Sequence, residues 1–462
     1  MAKKKQIELT IEEKLQNALV PKEEQPYKIP NNWCWVRLDF LLKEICNGTT
    51  IKQNKEGKTA RVTRIESLQN NTIDFNRIGN IVNESLIKDK DWYIEGDIIV
   101  SHINSIEHVG KSAVITRDML PLVHGMNLLR LRLNNICNSQ FFQLYTRTTD
   151  YKKSIVNRVN RAVNQVSINQ KQLCSLEIPI TNLKEQQRIV NRIESLFAKI
   201  DRAKELIENT LAQFEQNKMA ILHKAFTGEL TAKWRKEKGI LKDTWKSMAL
   251  ENCGTWSGGG TPSMSCGDYW ENGNIPWITS KDMKNIYIEK TQKYITEKGV
   301  EFSSAKYIDK PAILFVTRSG ILRRIFPVCM VKIPFTVNQD LKVLVPSKMV
   351  CLEYLYWICI YKSNKILGTC MKSGTTVESI STDKLKKFKI TVPTIEEQQE
   401  IVNILDKLLA KYNKIKNLEQ QLEKIELLKK AILAKAFRGE LGTNNPDEES
   451  AENLLKEILA EK

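Results

Sequence analysis

The strongest constraint on this 462-residue chain is that it repeats itself once, with an offset of 212 residues from Glu185 to Glu397. The matches are dense at the beginning and end of each copy and sparse between them. Solenoid repeats have periods of about 20 to 50 residues, so a long period used only twice predicts a duplicated two-domain unit with pseudo-two-fold symmetry. The matched residues are Trp33 with Trp245, Leu38 with Leu250, Gly48 and Thr49 with Gly260 and Thr261, 185–187 with 397–399, 189–191 with 401–403 and, one residue out of step, 224–230 with 435–441.

The end of each copy has the pattern of a long helix. Asn182 and Glu185 have the spacing of a capping box, and Thr394 repeats that spacing before Glu397. Apolar residues then recur in alternating steps of three and four, which keeps one narrow stripe facing a partner helix. The stripe comprises Ile189, Ile193, Leu196, Ile200, Ala203, Ile207, Leu211 and Phe214 in the first copy, and Ile401, Leu405, Leu408, Tyr412, Ile415, Leu418, Leu422, Ile425, Leu428 and Ile432 in the second. We also assign Phe226 and Phe437 to this coiled-coil interface.

Each helix would span about 43 residues, or on the order of 65 Å, which is too long for an ordinary globular core. We predict that the two helices pair with each other as an antiparallel coiled coil, because the duplicated unit carries its own partner. The alternative is an intermolecular coiled coil with another chain. Gly228 and Gly439 follow the last turns and are predicted to be left-handed C-caps.

The divergent middle of each copy has the pattern of a mixed domain, with short β-branched or aromatic runs separated by Gly, Asn and Pro. The predicted fold class is therefore α/β (α+β), with two such domains separated by the two long helices. A short helix at each end should dock on the body or on a partner, because two or three turns are unstable alone. The predicted segments are an N-terminal helical arm (1–26), a first variable domain (27–181), a central helix (182–231), a second variable domain (232–393), a C-terminal helix (394–442) and a helical tail (443–462).

The composition indicates what kind of partner the chain has. A net charge of +17 at pH 7 favours a polyanion. No apolar run approaches the roughly 20 residues that span a membrane, and no signal peptide is present, so we expect a cytoplasmic protein. The ten cysteines are scattered and the histidines number four, which predicts no metal site.

The chain has no recognisable catalytic signature. It lacks the Asn/Asp-Pro-Pro-aromatic motif of amino-methyltransferases, the Gly-x-Ser-x-Gly elbow and a dinucleotide fingerprint. The glycines at 258–260 are followed by Thr261 rather than by the Gly-Lys-Ser/Thr of a P-loop, and we interpret them as a flexible turn. We therefore predict no catalytic residue and no cofactor in this chain.

The order of these features resembles the specificity (S) subunits of type I restriction-modification systems over nearly the whole chain. Each copy starts at a tryptophan-led segment (30–38 in the first), continues through a variable domain and ends in a Glu-Gln-Gln helix with Lys-Ala-Phe-x-Gly-Glu-Leu. The first domain departs from the family pattern, because Arg-Val-Thr-Arg (61–64) stands where the second domain has Ile-Pro-Trp. DNA contacts assigned to one domain therefore cannot be transferred to the other. Further matching segments are 96–100, 109–112, 275–280, 318–320 and 338–340.

The resemblance implies a function for each part of the chain. Each variable domain would be a target-recognition domain that reads one half of a split, asymmetric site in double-stranded DNA, and the helix pair would hold the two domains apart. Two methyltransferase (M) subunits would dock on the helical region, and restriction/translocase (R) subunits would complete the enzyme. S-adenosylmethionine, Mg²⁺ and ATP would bind to those partners and not to this chain.

Side chains able to read base edges occur in both domains, since Arg pairs with guanine and Asn or Gln with adenine. For each of them, contact with a phosphate is the alternative. The candidates are Asn104, Arg158, Arg161, Asn164 and Gln165 in the first domain, with His102 nearby, and Arg318, Arg323, Arg324, Asn338, Gln339, Lys372 and Thr375 in the second.

Two other functions are open at this point. A self-contained DNA modification enzyme would need the methylation motif that the sequence lacks. A coiled-coil scaffold without a nucleic-acid role would explain neither the net charge nor the two divergent domains.

Overall fold

The computed structural model describes residues 10–54, 60–163, 165–372, 377–410 and 415–461. The chain divides into two compact units, unit 1 (1–207 and 419–462) and unit 2 (208–418). The predicted fold class is confirmed, since each unit combines antiparallel sheets with helices. The helices are α1 (Ile11–Ala18), α2 (Leu38–Leu41), α3 (Ser139–Thr146), α4 (Thr149–Arg158), α5 (Gln170–Cys174), α6 (Leu183–Phe226), α7 (Ala232–Lys238), α8 (Glu297–Glu301), α9 (Leu352–Tyr361), α10 (Ser363–Cys370), α11 (Thr382–Lys387), α12 (Ile395–Leu409), α13 (Ile415–Ala436) and α14 (Ala451–Glu461).

Unit 1 is built around a four-stranded antiparallel sheet of order β10-β8-β11-β2 and a separate pair, β1-β14. Two three-stranded sheets, β12-β13-β9 and β3-β7-β4, and the hairpin β5-β6 surround it. The strands are β1 (Cys34–Arg37), β2 (Leu42–Asn47), β3 (Gln53–Asn54), β4 (Ala60–Val62), β5 (Leu68–Gln69), β6 (Thr72–Ile73), β7 (Gly79–Ile81), β8 (Ile98–Ser101), β9 (Ile103–Asn104), β10 (Ser112–Val114), β11 (Leu128–Leu133), β12 (Asn160–Ala162), β13 (Gln165–Ser167) and β14 (Glu177–Ile180).

Unit 2 repeats this framework, with a four-stranded sheet of order β16-β22-β19-β20 and a pair β15-β23. Strand for strand, β16, β22, β19 and β20 correspond to β2, β11, β8 and β10, so the repeat seen in the sequence is a duplication of topology. In the additional sheet of unit 2, β17 pairs in parallel with β21, whereas in the described part of unit 1 the parallel pairing of β4 is limited to a single bridge between Val62 and Val123. The strands are β15 (Lys246–Ala249), β16 (Gly254–Gly258), β17 (Ile275–Ile278), β18 (Lys293–Ile295), β19 (Ala312–Val316), β20 (Val328–Val331), β21 (Thr336–Val337), β22 (Leu341–Pro346) and β23 (Lys389–Val392).

The repeated Gly-Thr segment is a point of close backbone packing. A Cβ atom on Gly48 would lie 1.9 Å from the carbonyl oxygen of Gly125, and one on Gly259 would lie 1.9 Å from that of Val337. A Cβ atom on Gly260 would lie 2.1 Å from Ser304 Oγ and 2.5 Å from the Ser304 carbonyl oxygen. Gly258 ends β16, and Gly259 and Gly260 are packed against neighbouring backbone, where only glycine allows so close an approach. The prediction of a flexible turn at 258–260 is therefore wrong.

The two long helices run antiparallel where unit 1 contains both. Arg188, early in α6, pairs with Glu448, whereas Asp201, further along α6, pairs with Lys429 of α13. A later residue of α6 thus pairs with an earlier residue of the C-terminal segment, as expected when the two helices run antiparallel. The α6 helix is continuous over 44 residues, and both predicted C-caps are confirmed by the positive φ angles of Gly228 (82°) and Gly439 (72°).

The coiled-coil stripe differs from the prediction at several positions. Leu408 is 39% exposed while its neighbour Leu409 is buried, and Phe197, which the pattern did not include, is buried between Arg147 and Lys429. Ala203 is exposed and Leu428 is 50% exposed, so the prediction that they lie in the helix seam is wrong. Tyr412 and the side chain of Ile415 lie outside what the structure describes. Of the other stripe residues, Ile189, Ile193, Ile401, Leu405 and Ile425 are buried, and Leu196, Ile200, Ile207, Leu211, Phe214, Leu418, Leu422 and Ile432 are partly buried.

Phe226 and Phe437, which we assigned to the coiled-coil interface, instead anchor the helix ends in the domain cores. The Phe437 ring lies 5.1 Å from that of Tyr145, and the Phe226 ring lies 5.4 Å from that of Tyr354. Both contacts have the edge-to-face geometry that aromatic pairs prefer. The helix pattern alone could not distinguish these anchors from seam residues, because both are apolar at helical spacing.

Each long helix begins with a buried glutamine that binds the backbone of its own unit. Gln186 donates to the carbonyls of Ile136 and Thr181, both at 2.7 Å, and accepts from the Asn138 amide at 2.8 Å. In unit 2, Gln398 makes the same three bonds at 2.8–2.9 Å, donating to the carbonyls of Met349 and Pro393 and accepting from the amide of Cys351.

The glutamate beside each glutamine binds the segment that follows the other long helix. Glu397 accepts from Thr231 Oγ1 at 2.6 Å and Trp245 Nε1 at 2.8 Å, and it pairs with the buried Arg235. Its counterpart Glu185 accepts from Thr443 Oγ1 at 2.7 Å. Threonine and asparagine N-caps are present, but these glutamates do not complete the predicted capping boxes.

Removing the charge of these two glutamates should therefore have unequal effects. Glu397→Gln leaves Arg235, only 7% exposed, without its carboxylate, and breaking a buried pair costs about 3–5 kcal/mol in the free energy of unfolding. Glu185→Gln should cost only about 1–2 kcal/mol, because the Arg188 side chain is 38% exposed and keeps Glu448. Urea unfolding of both variants measures the difference, and equal losses would contradict the account.

Candidate nucleic-acid interface

The sequence candidates of unit 1 cluster on the β-hairpin formed by β12 and β13. Val166 of β13 is buried and pairs with Asn104 of β9, and the next residues continue the register. The Ile168 amide donates to the carbonyl of His102 at 2.9 Å. The Asn160 and Gln172 carboxamides exchange two hydrogen bonds at 3.2–3.3 Å. The base of the hairpin is thus fixed on the body while its far end is exposed.

The candidates in unit 1 differ in how available they are. Arg161 and Gln165 are exposed, and neither side chain has a hydrogen-bond or ion-pair partner within the described part of the chain. Arg158 instead pairs with Glu177 and donates to Ser154. This partner makes Arg158 a support of the hairpin base rather than a free donor. Asn164 lies outside the described residues.

A cleft lined mostly by polar residues adjoins the hairpin. It has a volume of about 430 Å³ and is lined by Asn47, His102, Leu129, Asn169, Gln170 and Lys171. The Nδ1 atom of His102 is buried without a hydrogen-bond partner in the structure, and burial lowers the pKa of this imidazole. His102 is therefore neutral near pH 7. Asn104 donates to Ser101 Oγ at 3.2 Å and accepts from the Ser105 amide, which fixes its carboxamide.

Unit 2 has a segment at the topologically equivalent place. Met371 and Ile380 form an antiparallel bridge, and the Ile380 amide donates to the carbonyl of Thr317 at 2.8 Å. Arg318, at the end of β19, pairs through its backbone with Ser379. This arrangement repeats the attachment of β13 to the segment after β8, so both units carry candidate side chains on equivalent elements.

Cations dominate this surface of unit 2. Arg318, Arg324 and Lys372 are exposed, and none has an ion-pair partner among the described residues. Arg323 pairs with Glu378, and its guanidinium lowers the pKa of that carboxyl. Glu378 thereby holds Arg323 in one position and leaves three unpaired positive charges beside it.

The remaining candidates of unit 2 are less available. Asn338 is buried, and its amide donates to Asp340 at 3.2 Å, while its Oδ1 atom has no partner in the structure. Gln339 is exposed and accepts from Thr261 Oγ1, which links it to the repeated Gly-Thr segment. Thr375 lies outside the described residues.

Sequence reasoning missed the side chains that hold these candidates in place. Glu177 and Glu378 each fix one arginine, and no local motif marks either of them. It also missed Val163 at the hairpin turn, which is 90% exposed. An alternating strand pattern on both sides of residue 163 was the available signal.

The described residues contain no group of three or more His, Cys, Asp or Glu arranged to hold a metal ion. None of the helices in those same ranges combines the length and apolar character that a membrane crossing requires.

Comparison with known proteins gives one consistent family. A model described as the type I restriction modification DNA specificity domain matches residues 31–212 and again 242–427. The chain is 40% identical over 204 residues to the EcoR124I/EcoR124II specificity subunit of Escherichia coli, covering 41% of this chain and 50% of that protein. It is 31% identical over 429 residues to the putative MjaX specificity subunit of Methanocaldococcus jannaschii, covering 90% of this chain and 95% of that protein.

Solved structures share the fold. A chain from a structural study of complex assembly and conformational transition in the type I R-M system aligns with a TM-score of 0.65 at 18% identity, covering 90% of this chain and all of that one. The HsdS subunit from Thermoanaerobacter tengcongensis aligns with a TM-score of 0.50 at 18% identity over the same shares.

Proposed function

The chain belongs to the type I restriction-modification specificity-subunit family, and from this premise we propose that it is the DNA-recognition subunit of such a complex. It binds a bipartite, asymmetric target in double-stranded DNA, and each unit reads one half-site. The observation that carries this proposal is the pair of equivalent surfaces, with Arg161 and Gln165 exposed on one unit and Arg318, Arg324 and Lys372 on the other.

The side chains on these surfaces suit a nucleic-acid ligand. Guanidinium groups pair with guanine or phosphate, and the Gln165 carboxamide can pair with adenine. Both surfaces belong to a chain with a net charge of +17, which favours a polyanion partner. A scaffold without a nucleic-acid role would leave these unpaired cations unexplained.

Membership of this family also indicates which protein subunits bind to the chain. Two methyltransferase subunits dock on the helical region, where Leu427 (64% exposed) and Leu428 (50% exposed) leave apolar surface on α13. Restriction/translocase subunits join to complete the enzyme, and the complex works in the cytoplasm. S-adenosylmethionine, Mg²⁺ and ATP are bound by those partners. This division is supported by the absence of a cofactor motif from the sequence.

The first expected outcome concerns catalysis. The purified chain, supplied with S-adenosylmethionine and DNA, should transfer no methyl group above a protein-free control, because it has no methyltransferase motif. Adding the methyltransferase subunits to the same reaction should produce transfer. Incorporation of labelled methyl groups measures both reactions, and transfer by the isolated chain would establish the alternative of a self-contained modification enzyme.

The second outcome concerns the division of the target. Arg161→Ala should relax or change one half-site and Arg318→Ala the other, since a bidentate base contact contributes roughly 1–3 kcal/mol of discrimination. Mapping methylated bases in cells that express the complete enzyme with each variant locates the change. Arg117→Ala, which removes an equal charge from an exposed position of unit 1 outside both the hairpin and the long helices, is the matched control.

Two results of this mapping would count against independent readers. One is a change in both half-sites caused by a single substitution, and the other is a change in the same half-site caused by both. Uniformly weaker modification with an unchanged motif would instead assign the substituted arginine to a phosphate contact.

A further inference from the structure

Val163 has the highest exposed fraction among the large hydrophobic residues that the structure describes, at 90%. It stands at the turn between β12 and β13, immediately after Ala162. The other valine of unit 1 that is mostly exposed, Val82 (62%), lies outside this hairpin. A single exposed valine is ordinary on a protein surface, so its meaning depends on what surrounds it.

The residues around Val163 are those that we propose to read base edges. Arg161 precedes it by two positions and Gln165 follows it by two, and both are exposed. The hairpin residues Asn160, Arg161 and Ala162 are all exposed. Among the described residues at the free end of the hairpin, Val163 is therefore the one large apolar side chain, next to the small Ala162 and close in sequence to the polar Arg161 and Gln165.

The hairpin is fixed at its base. Val166 is buried in the core of unit 1, β13 pairs with β9, and the Asn160–Gln172 carboxamide pair ties β12 to α5. The base of the hairpin that carries Val163 is thus fixed before any ligand binds. A two-stranded ribbon of this kind fits the major groove of B-form DNA, where its turn reaches the base edges.

The major groove offers one apolar group, the C5 methyl of thymine, and small apolar side chains recognise it by contact. Arginine and glutamine read hydrogen-bonding groups and cannot detect this methyl group. The branched, three-carbon side chain of valine is too short to enter between stacked bases as the larger wedge residues Phe, Leu, Ile and Met do.

We propose that Val163 is a specificity-determining residue that reads the C5 methyl group of a thymine in the half-site bound by unit 1. This inference rests on the proposed function, because it assigns one contact within the DNA target of that same surface.

The test uses the chain assembled with its methyltransferase subunits and a duplex that carries the mapped target. Each thymine of the unit 1 half-site is replaced in turn by uracil, which lacks only the C5 methyl group and keeps every hydrogen-bonding atom. At one position, the wild-type complex should bind roughly 4-fold more weakly, the effect of about one methyl-sized apolar group. With Val163→Ala, the same replacement should change binding by less than about 1.5-fold, because the contacting side-chain methyl groups are gone.

Two comparisons complete the experiment. Val82→Ala removes the same two methyl groups from another exposed site of unit 1 and should leave the uracil effect at its wild-type size. Uracil in the half-site of unit 2 should have the same effect on the wild type and on Val163→Ala. Because Val163 is almost fully exposed, its replacement should not change the melting temperature, and this is measured on the same samples.

The outcomes separate the inference from the function on which it rests. Three results would overturn the role of Val163 while sequence-specific binding stands. The uracil effect could persist unchanged in Val163→Ala, the wild type could show no uracil effect at any position, or the unit 1 half-site could contain no thymine. If the complex bound the duplex with the same affinity after every base change in the target, the proposed function itself would be overturned.

Discussion

The structure depends on the contacts that the Glu-Gln pair makes at the start of each long helix. Gln186 and Gln398 satisfy the same three backbone groups in their respective units, and Glu185 and Glu397 bind the threonine that follows the other helix. These atoms are buried, where an unsatisfied polar group costs about 1–3 kcal/mol. Each Glu-Gln pair, which we call the clamp, therefore holds the start of its helix to its own unit. It also holds that helix start to the segment that follows the other long helix.

This arrangement explains how one framework carries two different surfaces. The clamp, the aromatic anchor of each helix end and the four-stranded sheet correspond between the units. The hairpin segments differ: Arg161 and Gln165 are exposed on β12 and β13, whereas unit 2 has Lys372 and an Arg323–Glu378 pair at the equivalent place. Within the described residues, no hydrogen bond or ion pair joins the Glu-Gln pairs to these side chains. The side chains can therefore change without loss of the framework, as independent recognition of two half-sites requires.

Local rules predicted the framework well and the surfaces less well. The repeat, the antiparallel helices and the C-caps at Gly228 and Gly439 follow from periodicity and backbone preference. The anchoring role of Phe226 and the buried Glu397–Arg235 pair do not, because each depends on a partner distant in sequence. The candidate readers were chosen by residue type alone, and that criterion could not distinguish the free Arg161 from Arg158, which Glu177 holds.

The central claim is that each unit reads its own half of the target within a pseudo-two-fold frame. The direct test replaces residues 242–393 by a second copy of residues 30–181, the matching segment of the first repeat. Methylated-base mapping in cells that express this chimera with its partner subunits should give a target made of two inverted copies of the unit 1 half-site. A methylated target that keeps the original asymmetric sequence would contradict the account.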